Sequence, residues 1–278
     1  MGTFALIRND SSAAAEEKAV KSKTKMGLRL VSTQGHADSQ RFSHFTPMSQ
    51  DMPAVVEICV ESLASAIAAQ QGGASRVELC RQRSVGGLTP SEETTHTACL
   101  ALNIPVHVLI RPQEGSFLHD QETLQIMISQ IESAKRLGAA GVVLGLLQND
   151  HTIDRDQTAS MIALARPLTV TFHKAFDQTP DPFQALNTLI SLGIRRVLTS
   201  GQAETVREGI PCLAALQRRA QDRIVIMAGG AIHDRDLSAL APSGIREIHS
   251  GSYVSPDGPT DPERVRALVT TWSRLVGH

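Results

Sequence analysis

The sequence predicts an α/β protein, a (β/α)8 TIM-like barrel, on three observations. Eight short β-branched or Leu-rich runs alternate with longer helical stretches, the pattern of βα units around a parallel sheet. A weak internal repeat, Gly73-Ala-Ser-Arg-Val77, Gly138-Ala-Ala-Gly-Val142, Gly193-Ile-Arg-Arg-Val197 and Gly244-Ile-Arg-Glu-Ile248, puts an apolar strand residue four positions after a helix-ending glycine. The first run leads into Cys59-Val-Glu-Ser-Leu63, not into the glycine-rich phosphate loop that an open doubly wound sheet would want there. Eight such units close most economically into a barrel, because closure removes both sheet edges.

Along the chain, residues 1–52 are rich in Ser, Ala, Lys, Glu, Gln and Asp without sustained periodicity, and they read as a disordered N-terminal extension. The barrel domain is expected over residues 53–278. Strands are expected at residues 55–60, 76–80, 105–111, 141–147, 168–174, 195–200, 223–228 and 245–250. Helix starts lie between them, such as Asp181-Pro182, an N-cap followed by proline at the first helical position.

Strands of a parallel barrel are covered on both faces, so polar residues at alternate positions mark the barrel interior. In the first strand Val56, Ile58 and Val60 face the helices, which turns Glu57 and Cys59 inward. In the second, Val77 and Leu79 do the same for Glu78 and Cys80. The third strand points His107 and Arg111 inward, the fifth Thr171 and His173, and the eighth Glu247 and His249. The seventh, Ile-Val-Ile-Met, is apolar at both parities, and its register stays open. Buried ionisable groups are costly unless they pair or serve a ligand. Paired internally, Arg111 would neutralise a glutamate. Repeated on five strands, the set points to a functional pocket at the C-terminal strand ends.

Cys59 and Cys80 occupy the same place in Val56-Glu-Ile-Cys59 and Val77-Glu-Leu-Cys80. Neighbouring strands lie about 4.8 Å apart, so the two sulfurs fall side by side. Such a pair suits a soft ion such as Cu(I), whereas a closed zinc site needs more ligands; buried structural thiols and a redox disulfide remain alternatives. Gly229 and Gly230 after the seventh strand, with Gly251 and Ser252 after the eighth, stand where barrels of this kind bind phosphate, although short loops need such residues too.

Composition narrows the partners. A formal net charge of −1 and 3% aromatic residues leave neither a basic field nor stacking platforms for nucleic acid. No apolar stretch is long enough for a transmembrane helix, and no membrane partner is expected. Widely spaced cysteines and the lack of a secretory start imply a reducing, cytoplasmic setting. A copper ion or a small anionic ligand fits best, and a homodimer or higher homo-oligomer is expected.

The motifs Val56-Glu-Ile-Cys-Val-Glu-Ser62, Gln71-Gly-Gly-Ala-Ser-Arg-Val-Glu-Leu-Cys80, Gly86-Gly-Leu-Thr-Pro90, Val108-Leu-Ile-Arg-Pro112, Val170-Thr-Phe-His-Lys-Ala-Phe-Asp177 and Leu198-Thr-Ser-Gly201 together resemble the CutC copper homeostasis protein family. The resemblance runs from about Val55 to the C-terminus. It implies a cytoplasmic TIM-like barrel, often self-associated, that binds Cu(I), with Cys59 and Cys80 at the positions of the family's strand-end cysteines. This chain departs from the family pattern at Gln113-Glu-Gly-Ser-Phe117, where Arg-Gly-Gly-Asp-Phe is usual, at Lys174, usually Arg, and at Ala228-Gly-Gly-Ala231, usually Pro-Gly-Gly-Gly.

Two functions compete on these grounds. One is Cu(I) handling through Cys59 and Cys80. The other is an enzyme acting on a small anionic or phosphorylated metabolite, with Glu57, Glu78, His107, His173 and His249 as candidate acid/base groups and Arg111 gripping the anion with the late loops. A Mg²⁺-dependent nuclease is a weaker third reading, opposed by the neutral charge balance.

Overall fold

The computed structural model describes residues 53–256 and 258–277. The extension expected over residues 1–52 lies outside them. Eight parallel strands close into a barrel in sequence order, with β8 pairing back onto β1. The strands are β1 (Val55–Val60), β2 (Arg76–Leu79), β3 (Val106–Leu109), β4 (Gly141–Leu144), β5 (Thr169–Phe172), β6 (Arg196–Thr199), β7 (Val225–Gly229) and β8 (Glu247–Ser250). The helices are α1 (Leu63–Gln71), α2 (Glu92–Ala101), α3 (Gln121–Arg136), α4 (Arg155–Ala165), α5 (Pro182–Ser191), α6 (Val206–Ala220), α7 (Asp234–Leu240) and α8 (Pro262–Val276). Among the described residues no helix is long and apolar enough to cross a membrane.

Local chemistry fixes the boundaries. Asp181 caps α5 by accepting the Phe183 N–H at 2.8 Å, with Pro182 at the first helical position. Asp120 caps α3 through the Thr123 N–H at 2.8 Å. Thr205 and Glu208 form a reciprocal capping box on α6. The repeat glycines Gly73, Gly138, Gly193 and Gly244 all take left-handed φ, between 74° and 89°, where a side chain would be strained.

The outward strand residues Val56, Ile58, Val77, Leu79, Val108, Val142, Val170, Phe172, Val197 and Ile248 pack with the helices, including Trp272, in one continuous core. Inside the barrel a second apolar cluster, Cys59, Cys80, Leu109 and Val143, forms a separate layer. These two sets occupy opposite strand faces, so the polar inward residues sit above and below that inner layer.

Candidate functional site: a charged barrel floor beneath a thiol pair

Below the inner apolar layer lies a closed ionic network. The register sets Glu57 opposite both Arg76 and His249, and Arg196 opposite Thr171. Arg76 is 6% exposed; it donates to Glu57 and, at 2.8 Å, to Glu247. Its guanidinium also touches the Met227 sulfur at 3.2 Å, which turns Met227 of β7 inward. Arg196 grips the other oxygen of Glu247 at 3.0 Å. Burial alone would raise Glu57, but Arg76, with His249 beside it, holds the carboxyl well below the usual carboxylate range. Burial also opposes ionisation of Glu247, and the Arg196 contacts reverse that. His107 lies 3.8 Å from Glu57, and burial depresses it to about 4, so it stays neutral.

One step nearer the mouth, the His249 Nδ1 lies 2.7 Å from Glu57 and 3.4 Å from Glu78. Burial would lower His249, but Glu78, Cys59 and Glu57 together raise it well above the ordinary imidazole value. Burial, only partly offset by His249, pushes Glu78 up to about 7, and among the described residues its Oε2 has no hydrogen-bond partner. Donor atoms of Glu57, Glu78 and His249 all lie within 4.8 Å of one another. A cation there would have to share Glu57 with Arg76, whose charge already faces that carboxylate.

The sulfurs of Cys59 and Cys80 are 3.4 Å apart, and both residues are buried. The hydrogen bond between them, together with burial, holds the Cys59 thiol well above its ordinary pKa. Over this pair opens a cavity of about 840 Å³, lined by Cys59, Glu78, Arg111, His173, Lys174 and His249 among others. Two glycines make room for the histidines. A Cβ on Gly141 would stand 2.7 Å from the His107 ring, and one on Gly145 would stand 2.4 Å from His173. His173 accepts the Ala175 N–H at 3.1 Å through Nδ1, and burial next to Arg111 keeps it neutral, down to about 3.

The inward residues named from the sequence reach two levels. Glu57, Glu78, Glu247, His107 and His249 join the floor network, and Glu78 and His249 also face the cavity. Cys59, Arg111 and His173 line the cavity with Gly230, Gly251 and Ser252, while Cys80 lies beneath the cavity against Cys59 and Gly229 packs against Leu198 and His249. The internal partner proposed for Arg111 is corrected: Arg111 binds the carbonyls of Val85, Gly87 and Gly115, Glu57 and Glu247 are neutralised by Arg76 and Arg196, and Glu78 faces His249. Those two arginines were missed, although the parity that places Val77 and Val197 outward also turns Arg76 and Arg196 inward. Asp177 was missed too: it accepts from Thr199, Ser200 and Gln202 and so ties the β5 loop to the β6 loop.

Comparison with known proteins agrees with this architecture. The CutC family model matches residues 54–254. A copper homeostasis protein cutC homolog of Homo sapiens is 44% identical over 204 residues, covering 73% of this chain and 75% of the relative. A CutC family protein of Chromobacterium violaceum is 44% identical over 202 residues, covering 72% and 82%. The crystal structure of a copper homeostasis protein CutC from Streptococcus agalactiae superposes with a TM-score of 0.69 at 32% identity, covering 73% of this chain and all of that one. A thiamine phosphate pyrophosphorylase from Pyrococcus furiosus, at 12% identity and a TM-score of 0.56, shares the barrel fold alone. The chain belongs to the CutC family.

Proposed function

We propose that this protein binds Cu(I) between Cys59 and Cys80 as part of copper handling in the cytoplasm. The observation that carries the reading is the buried sulfur pair, 3.4 Å apart, at the base of the mouth cavity. Thiolates are soft ligands and select Cu(I), while Glu57 and Glu247 are already matched by the Arg76 and Arg196 guanidinium groups. Two sulfurs that share one metal ion sit farther apart than 3.4 Å, so the pair would open on binding copper. Metal binding requires the thiols to release their protons. Burial and Cys80 hold the Cys59 thiol up, and the His249 hydrogen bond offsets part of that in favour of the thiolate.

The printed names of the relatives, copper homeostasis proteins, support the same cargo. A reducing compartment would keep both cysteines as thiols. Self-association is part of the reading, as a homodimer or higher homo-oligomer. X-ray absorption at the copper edge tests it. Cu(I)-loaded protein should show two sulfur neighbours that vanish in a Cys59→Ser, Cys80→Ser double variant. Coordination by nitrogen and oxygen alone would overturn the assignment.

A further inference from the structure

Arg111 stands two residues past the end of β3, 6% exposed, on the wall of the mouth cavity. Its guanidinium carries five N–H donors. Nη1 donates to Val85 O at 2.9 Å and Gly87 O at 2.8 Å, and Nη2 donates to Gly115 O at 3.1 Å. Two donors are left, and among the described residues the buried Nε has no acceptor. Among the described residues no carboxylate forms an ion pair with it; the nearest acidic influence is the exposed Glu114 on the following loop. The Arg76 and Arg196 guanidinium groups inside the barrel, by contrast, face glutamates. A buried cation with carbonyl dipoles and an aromatic ring around it but no carboxylate in contact is under-neutralised.

The neighbouring groups extend the same character. The Phe117 ring lies 5.2 Å from the Arg111 guanidinium carbon and 4.7 Å from the His173 ring. Because His173 receives the Ala175 N–H on Nδ1, its own proton sits on Nε2, a free donor. Lys174 reaches across to Gly230: its Nζ lies 3.6 Å from the point where a Cβ on that glycine would stand. Its acidic neighbour Asp177, 3.8 Å away, already accepts from Thr199, Ser200 and Gln202. Gly230 and Ala231 line the same cavity and take successive positive φ values of 144° and 49°, an unusual conformation for alanine.

We infer that this side of the mouth cavity binds a small oxyanion, the phosphate or carboxylate group of a metabolite, against Arg111, His173 and Lys174. The site shares the cavity with the thiol pair but uses none of its ligands, so the inference does not rest on the copper reading. Isothermal titration of the full chain with inorganic phosphate, and separately with malonate, tests it. At least one anion should bind saturably below about 1 mM, and the stronger of the two identifies the headgroup class. Lys174→Gln, at a half-exposed position, should weaken binding several-fold without lowering Tm. Arg111→Lys keeps the charge but loses the fork, and should weaken it about tenfold. The Cys59→Ser, Cys80→Ser variant should bind within about twofold of native. No saturable binding of either anion by about 10 mM, or affinity unchanged in Lys174→Gln, would overturn the inference.

Discussion

Removing Arg76 tests the floor network directly. Arg76→Met keeps the length and apolar bulk of the side chain but deletes the charge that bridges Glu57 and Glu247. Glu247 retains Arg196 at 3.0 Å, so its charge stays matched. Glu57 does not fare as well. One of its oxygens keeps His249 at 2.7 Å, and the other is left with only the neutral His107 at 3.8 Å. Breaking a buried pair from one side costs about 3–5 kcal/mol. For a domain of this size each kcal/mol moves Tm by about 2–4 °C, so the variant should melt about 6–20 °C lower at pH 7. Differential scanning calorimetry reads this out. The sign with pH follows from Glu57, whose depressed pKa contributes stability above the ordinary carboxylate value and loses it as pH falls. The gap between native and variant should therefore narrow toward pH 4, and adding Glu57→Gln to the variant should recover part of the loss. A fall of less than about 2 °C at pH 7 would refute the claim that Arg76 neutralises Glu57.

Two further outcomes follow from the same geometry. His173 and His107, held down to about 3 and about 4, stay neutral in the folded chain while unfolded histidines protonate near 6.5, so each costs about 1.4 kcal/mol per unit as pH drops below 6.5. Glu78, raised to about 7, acts in the opposite sense over that window, but it is one group against two imidazoles, so the native chain should lose stability between pH 6.5 and 5. Urea unfolding should show it, and His173→Gln should flatten the profile; stability that is level or rising toward pH 5 in the native chain would contradict the burial of neutral imidazoles. Gly145→Ala would push a Cβ to 2.4 Å from the His173 ring and 3.0 Å from Ala175, with a cost of about 1–3 kcal/mol. Chemical denaturation measures that, and an unchanged midpoint would mean the ring has room to withdraw.

Much of the fold was legible because period-two alternation is strong wherever a polar residue interrupts an apolar strand. Glu57, Glu78, His107 and His249 announced the interior face of four strands. β7 carried no such marker: Ile-Val-Ile-Met is apolar at both parities, and only the contact of Met227 with Arg76 reveals its inward face. Strand ends were less visible. The runs over 105–111 and 141–147 extend past Val106–Leu109 and Gly141–Leu144, since a strand stops where its neighbour's ladder stops and apolar loop residues such as Leu146 and Leu147 continue the hydrophobic run.

Arg76 and Arg196 were hidden for a different reason. They open their strands directly after the helix-ending repeat, where arginine ordinarily reads as a solvated helix-end charge. Which guanidinium meets which carboxylate depends on the inter-strand register, Glu57 against Arg76 and Thr171 against Arg196, and one strand read alone cannot supply it. The partner of Arg111 was misjudged on the same account, because the loops whose carbonyls it binds have no periodicity to read.

The most direct test of the copper reading is an anaerobic Cu(I) competition titration against a colorimetric chelator, comparing native protein with the Cys59→Ser, Cys80→Ser double variant. The sulfur pair predicts one tightly held Cu(I) per chain in the native protein and a loss of at least about a hundredfold in affinity in the variant. Equal affinity in the two proteins would make Cys59 and Cys80 ordinary core thiols and remove the basis for copper binding at the barrel mouth.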